Sequence, residues 1–307
     1  MDNRKTNPIF NTHPLFSPSE IDDFLLDFEI VIENIEASYD PDLKSNFFGM
    51  AERGGITPTR YHPSSKLARL ITLRFLLTDS ATIIINRARA RAYEMGLKGK
   101  GEIYLCPVSS IRRYVVGSYT SDCHAAAMLE TEPHYDNGFG CFGLSVWLPF
   151  HAISRDDGAL IRIIEKNLLK AYGSPGSKNK YHFDSYLLDH KNVDRHLQTG
   201  GFESQNVEKG SVVAHQDVLH AALKNFTPRS SFNFRFVSES ELIGRPDNIK
   251  DLYYKFNSSP QRFIKTAIER VENCSICGIE TPNIFDLNKI LSDYRAEFFG
   301  EESSIAA

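Results

Sequence analysis

Apolar residues recur at intervals of three and four from Ile21 to Ile35, through Phe24, Leu25, Phe28, Val31 and Ile32. That period gathers them on one face of an amphipathic helix. Its start is written in Ser17-Pro18-Ser19-Glu20. Ser17 caps the first turn, Pro18 suits the first helical position, and Glu20 reaches back to close a capping box. A second helical stretch runs from Pro63 to about Gly96, with Leu67, Leu70, Ile71, Phe75 and Leu76 on one side and a break near Asp79. Residues 1–17, which hold Pro8 and Pro14, read as an irregular lead-in. Residues 39–62, with Gly49, Gly54, Gly55, Pro41 and Pro58, read as loop.

From Ile103 the period falls to two. Ile103–Cys106 and Ile111–Tyr119 are strand candidates, Ala125 to Thr131 leads to His134, and Phe142–Phe150 is a continuous apolar run. Gly210 reads as a turn glycine before the strand at Ser211. A tight polar turn and a second short strand ending in His220 follow it. Further on, Phe232, Phe234 and Phe236 alternate with Arg229, Ser231, Asn233 and Arg235, giving one strand an aromatic face and a polar face. Helical spacing returns in Leu252–Phe256, Gln261–Glu272 and Asp286–Phe299, separated by Pro260 and Pro282. The pattern describes one mainly β domain over 1–307, with a strand-rich core at about 100–240 and helical extensions at 17–97 and 247–300.

Composition removes several function classes. At 307 residues, 41% hydrophobic and 24% charged, the chain has the make-up of an ordinary globular protein. A formal net charge of −4 gives no footprint for nucleic acid, and Arg87-Ala88-Arg89-Ala90-Arg91 and Arg112-Arg113 read as solvated faces. No apolar run approaches the ~20 residues of a membrane span, and the first residues lack a signal-peptide core, so a cytoplasmic location is expected. Cys274 and Cys277 have the spacing of half a zinc site, but no second half follows, and free thiols are the simpler reading.

Three His-x-Asp pairs remain as candidate chemistry: His134/Asp136, His182/Asp184 and His215/Asp217. On a strand, residues two apart share a face, so each pair could bind one ion. A non-haem Fe(II) site needs a second imidazole returning from a distant strand, with open positions left for cosubstrate and dioxygen. His134/Asp136 has His220 far enough along the chain to return around a barrel. His182 has too little chain left before the last histidine, and no histidine follows His220. The other histidines, His215 among them, read as surface or hydrogen-bonded core residues. Regular alternation would aim His215 away from the face of His220.

His134-Tyr135-Asp136, Leu144-Ser145-Val146-Trp147-Leu148-Pro149, Asp156-Asp157-Gly158-Ala159-Leu160, the Gly210 to His220 stretch and Pro228-Arg229 follow one another in a specific order. In this order and spacing, over about residues 100–240, the chain resembles the phytanoyl-CoA dioxygenase-like branch of the Fe(II)/2-oxoglutarate-dependent oxygenases. The resemblance implies a double-stranded β-helix, a jelly-roll barrel of the cupin type. It implies Fe(II) held by His134, Asp136 and His220, 2-oxoglutarate as cosubstrate, dioxygen, and hydroxylation of a small molecule with release of succinate and CO2. A tryptophan at the place of Trp147 lies beside the cosubstrate in that family. The distal carboxylate needs its own cation. Arg229 is the first candidate and Arg235 the second, because a guanidinium grips a carboxylate bidentately and stays charged.

The chain departs from the family at Ala222, where a small hydroxyl residue is usual, and at Ile164-Glu165-Lys166-Asn167, where a glycine-serine-histidine is usual. Ser231, Tyr119 or Thr120 is the expected substitute for the missing hydroxyl. With Asp136 present, halogenation is not expected. Polar residues crowd 173–205 and 40–62, including Lys178, Lys180, Asp184, Arg53 and Arg60, so a small polar metabolite or natural-product intermediate is favoured over an acyl chain. Two other classes stay open: a non-catalytic barrel that binds a ligand, and a cupin-type metalloenzyme that does not use 2-oxoglutarate. The oligomeric state is open as well.

Overall fold

A computed structural model of the protein describes residues 9–37, 74–76, 78–105, 110–114, 129–134, 143–163, 200–223, 227 and 229–243. Among the described residues, ten strands form two antiparallel sheets. The larger holds β1 (Ile9–Pro14), β8 (Ser211–Gln216), β5 (Leu144–Pro149), β10 (Arg229–Ser238) and β2 (Ile103–Leu105) in that order, and β3 (Ser110–Tyr114) also pairs with β10. The smaller runs β4 (Leu129–His134), β9 (His220–Leu223), β6 (Leu160–Ile163), β7 (Phe202–Ser204). From β4 onward the chain passes between the two sheets at every step except β6 to β7. This is the double-stranded β-helix.

Helix α1 (Pro18–Ala37) and helix α2 (Asp79–Ala90) cover the outer face of the larger sheet. Ile21, Phe24, Phe28, Val31 and Ile32 of α1 and Ala81, Ile84, Ile85 and Ala88 of α2 share one core with Leu144, Val146, Leu148, Val212, Ala214 and the three phenylalanines of β10. The capping box forms: Ser17 N–H donates to Glu20 Oε2 at 2.8 Å and Glu20 N–H to Ser17 Oγ at 3.3 Å. The break near Asp79 is also present, with Thr78 Oγ1 accepting from Ala81 N–H at 3.2 Å to cap α2.

Three expectations change. The lead-in before Ser17 is not irregular throughout, because Ile9–Pro14 pairs along its whole length with β8. Backbone pairing made it a strand where its side chains show no alternation. The second short strand begins at His220 instead of ending there, since Asp217 adopts a left-handed φ of 55° and turns the chain out of β8 toward the other sheet. The arginine run is only in part a solvated face: Arg87 pairs with Glu20 at 2.8 Å, donates to the Leu15 carbonyl and lies over Phe16, and Arg91 donates to the Pro14 carbonyl, while both side chains keep an exposed side. These arginines tie α2 to the β1–α1 corner. At that corner the Gly210 carbonyl accepts from the N–H groups of Leu15 and Phe16, and its φ of 95° with Phe16 O close by leaves room for glycine alone.

The helical spacing after residue 243, the Cys274/Cys277 pair and the stretch at 164–199 lie outside the described residues. Among the described residues no helix is long and apolar enough to cross a membrane.

Candidate active site

Strands β4 and β9 pair antiparallel in the smaller sheet, and their register sets His134 directly opposite His220. Directly opposed residues of an antiparallel pair share a face, with Cβ atoms about 4.5–5.5 Å apart. On the other side of β9, Arg162 of β6 is the register partner of His220, so His134, His220 and Arg162 fall in one cross-strand row. Asp136 lies two residues past the end of β4, outside the described residues.

His220 points toward the larger sheet. Its ring lies 4.2 Å, centroid to centroid, from that of His215 on β8, with the planes 50° apart. The two are 3% and 2% exposed. Alternation aims His215 into the barrel, because its neighbours Val212 and Ala214 belong to the core under the helices. The expectation that His215 and His220 face apart therefore fails. It assumed one regular strand, and the turn at Asp217 places the two residues on facing sheets.

The tautomer of His220 follows from its partner. Nδ1 is 3.1 Å from the carbonyl oxygen of Val218. A carbonyl can only accept, so Nδ1 carries the proton and Nε2 keeps the lone pair that a metal requires.

The inner face of the larger sheet carries the other candidates. Arg235, Ser145 and His215 are register partners across β10, β5 and β8, and Arg235 Nε donates to Ser145 Oγ at 3.0 Å. One step deeper, Asn233, Trp147 and Val213 form the next inward row. Trp147 packs with Ile153, Ala159, Val207 and Val213, and the Arg229 guanidinium lies over its ring at 5.5 Å. Arg229 and Arg235 are 3% and 6% exposed. Successive inward rows are about 7 Å apart. The Arg235 row is thus level with the two histidines, and the Arg229 guanidinium lies roughly one row further in.

Among the described residues, Ser231 Oγ and Asn233 Oδ1 are buried on this face with no hydrogen-bond partner. Buried polar atoms are ordinarily satisfied, so such a pair marks a place for a polar ligand or water. By charge and hydrogen-bonding type, a buried guanidinium beside a hydroxyl suits one carboxylate of a diacid. A divalent metal fits the row of His134 and His220 by the chemistry of the donors.

No motif or spacing singles out Arg162. Its Nη1 donates to Glu203 Oε2 on β7 at 3.2 Å, and both side chains are partly exposed, so a charged pair stands beside His220 at the rim. Only the strand register reveals that position.

No family model matches the chain, and no curated protein matches it. Among solved structures, HygX from Streptomyces hygroscopicus with nickel and 2-oxoglutarate bound is 15% identical, covering 76% of this chain and 83% of its own, with a TM-score of 0.40. The epimerase SnoN from nogalamycin biosynthesis is 11% identical, covering 75% and 79%, with a TM-score of 0.45. The carbocyclase SnoK from the same biosynthesis is 11% identical, covering 75% and 80%, with a TM-score of 0.46.

Proposed function

We propose that the chain is a non-haem Fe(II)- and 2-oxoglutarate-dependent oxygenase of the phytanoyl-CoA dioxygenase-like kind. The observation that carries this reading is the β4–β9 register, which sets His134 opposite a buried His220 whose Nδ1, not its Nε2, is the ring atom bonded to the Val218 carbonyl. Asp136 completes the ligand set, leaving one face of the ion open. Bound there, iron and 2-oxoglutarate supply an oxidising centre for C–H hydroxylation, with succinate and CO2 released.

The chain's own residues do the rest. Val218 O holds His220 in the tautomer that ligates. Arg229, stacked on Trp147, binds the distal carboxylate of the diacid, and Ser231 Oγ donates a second hydrogen bond where Ala222 cannot. Arg235 is less suited to that carboxylate, because its row is level with the histidines and a five-carbon diacid needs a cation further in. The inward-facing apolar residues around Trp147 exclude water from this end of the barrel.

For the substrate we favour a small polar or charged metabolite, supported by the Arg162–Glu203 pair in the row of His220. A pair of opposite charges at the rim suits a molecule that carries charge, and it repels an acyl chain.

Trp147 is the single tryptophan of the chain, so its fluorescence reads the barrel interior directly. Adding 2-oxoglutarate under anaerobic conditions should change that signal when Fe(II) or Mn(II) is present. His134→Ala and His220→Ala should abolish metal binding and, in air, succinate formation. Wild-type metal affinity in either variant overturns the ligand assignment. A metal-loaded protein that does not bind 2-oxoglutarate points to the cupin-type alternative, and a protein that binds no metal points to the non-catalytic one. Succinate formation stimulated by acyl-CoA compounds and by no polar acid or amino acid would contradict the substrate class.

A further inference from the structure

The ring of His215 touches that of His220, and neither ring is more than 3% exposed. We propose that His215 is a positioning residue for the metal ligand His220, an inference that rests on the reading of His220 as a ligand. His220 is the first residue of β9, at the point where the chain has just crossed from one sheet to the other, so its own strand supports it on one side only. The Val218 carbonyl bonds to Nδ1 and fixes one point of the ring. The inclined face of His215 bears on the ring from a second direction, and the two contacts together orient Nε2.

The support extends outward. His215 lies on β8 opposite Ser145, and Ser145 Oγ accepts from Arg235 Nε at 3.0 Å, so the row behind the ring is tied across three strands. The corner between the rings is held from the helical layer. Lys98 Nζ pairs with Asp217 Oδ2 at 2.6 Å, and Lys98 N–H donates to Gln216 Oε1 at 3.3 Å. The two residues before the crossover are therefore fixed to the segment that follows α2. Ligand orientation by neighbouring groups is a general property of metal sites, and removing such a neighbour typically weakens metal binding about 10–100-fold.

The test is anaerobic Fe(II) titration of the full chain, with the apo-protein melting temperature measured alongside. His215→Ala should weaken Fe(II) about 10–100-fold, and His215→Phe, which restores an aromatic face, should recover most of the loss. If His215→Ala does not fold, His215→Gln removes the ring while keeping volume and polarity, and the same loss is expected. Wild-type Fe(II) affinity in the Ala or Gln variant overturns the proposal. So does a Phe variant as weak as the Ala variant, since ring contact would then not be what matters. A melting temperature that falls in step with affinity and is not rescued by Phe also overturns it, leaving His215 a packing residue. Wild-type affinity in His220→Ala, by contrast, brings down the ligand assignment itself.

Discussion

Strand β10 has two buried faces that are chemically opposite. On one, Phe232, Phe234 and Phe236 are fully buried against the helices, and Phe232 meets Phe75 edge to face at 5.2 Å. Phe75 in turn contacts Phe28 and Phe150. On the other face stand Arg229, Ser231 and Arg235, which are also buried, and the partly buried Asn233. The aromatic face gains free energy from every ring it hides. The polar face costs free energy, because guanidinium groups and hydroxyls lose water when buried. One strand thus separates the face that holds the fold together from the face to which the proposed cosubstrate site is assigned.

That division can be broken from either side. Phe234→Ala removes a fully buried ring and should lower stability by about 3–5 kcal/mol, measured by urea denaturation of the apo-protein. The 2-oxoglutarate affinity of the molecules that remain folded should hardly change. A loss of affinity as large as the loss of stability would show that the two faces are coupled.

The opposite pattern is expected on the inner face. Arg229→Leu should weaken 2-oxoglutarate by about 1.5–3 kcal/mol, roughly ten- to hundredfold, as for a hydrogen bond to a charged group. Apo-protein stability should fall less than in Phe234→Ala, because removing the guanidinium also removes the cost of burying it. Calorimetric titration reads the first quantity and denaturation the second. Arg229→Lys keeps the charge but loses the planar fork, and should fall between the two. Unaltered affinity in Arg229→Leu would transfer the carboxylate to another cation, with Arg235 the first to examine.

Both faces of β10 were legible in the sequence because alternation over Ser231 to Phe236 is unbroken, and period-two patterning fixes which side chains share a face. The capping box and the break before Asp79 were legible for the same reason: each is a local signal with a local cause. What depended on distant pairing was not. β1 became a strand through its bonds to β8, and nothing between Ile9 and Pro14 announces a partner two hundred residues away. His215 was misjudged because alternation was carried through Asp217, whose left-handed backbone ends the strand. Arg162 carries no motif, and its place beside His220 is a matter of register alone. The pairing of His134 with His220 belongs between these cases. Their residue types and order suggested a common site, and the smaller sheet supplied the register that sets one opposite the other.

The smallest expected effect lies furthest from the barrel interior, at the start of α1. Glu20 is held to a pKa of about 2, below its ordinary value of 4.5, first by Arg87 and then by the Ser17 N–H. A carboxylate whose folded pKa is depressed contributes stability that is present above about 4.5 and is lost as pH falls toward 2. The Glu20 and Arg87 side chains are 35% and 37% exposed, so solvent screens the pair and its contribution is at most about 1 kcal/mol. Glu20→Gln keeps an acceptor for the Ser17 N–H and loses only the charge. It should therefore lower stability by roughly 0.5–1 kcal/mol at neutral pH, and the difference from wild type should shrink as pH drops from about 4.5 toward 2. Taking the difference between the two proteins cancels the acid sensitivity of the other carboxylates they share. Denaturation curves at a series of pH values measure it, and a difference that does not vary with pH would mean that the Arg87 pair contributes nothing. Fe(II) and 2-oxoglutarate affinities should be the same in both proteins, because Glu20 belongs to the layer that supports the barrel from outside.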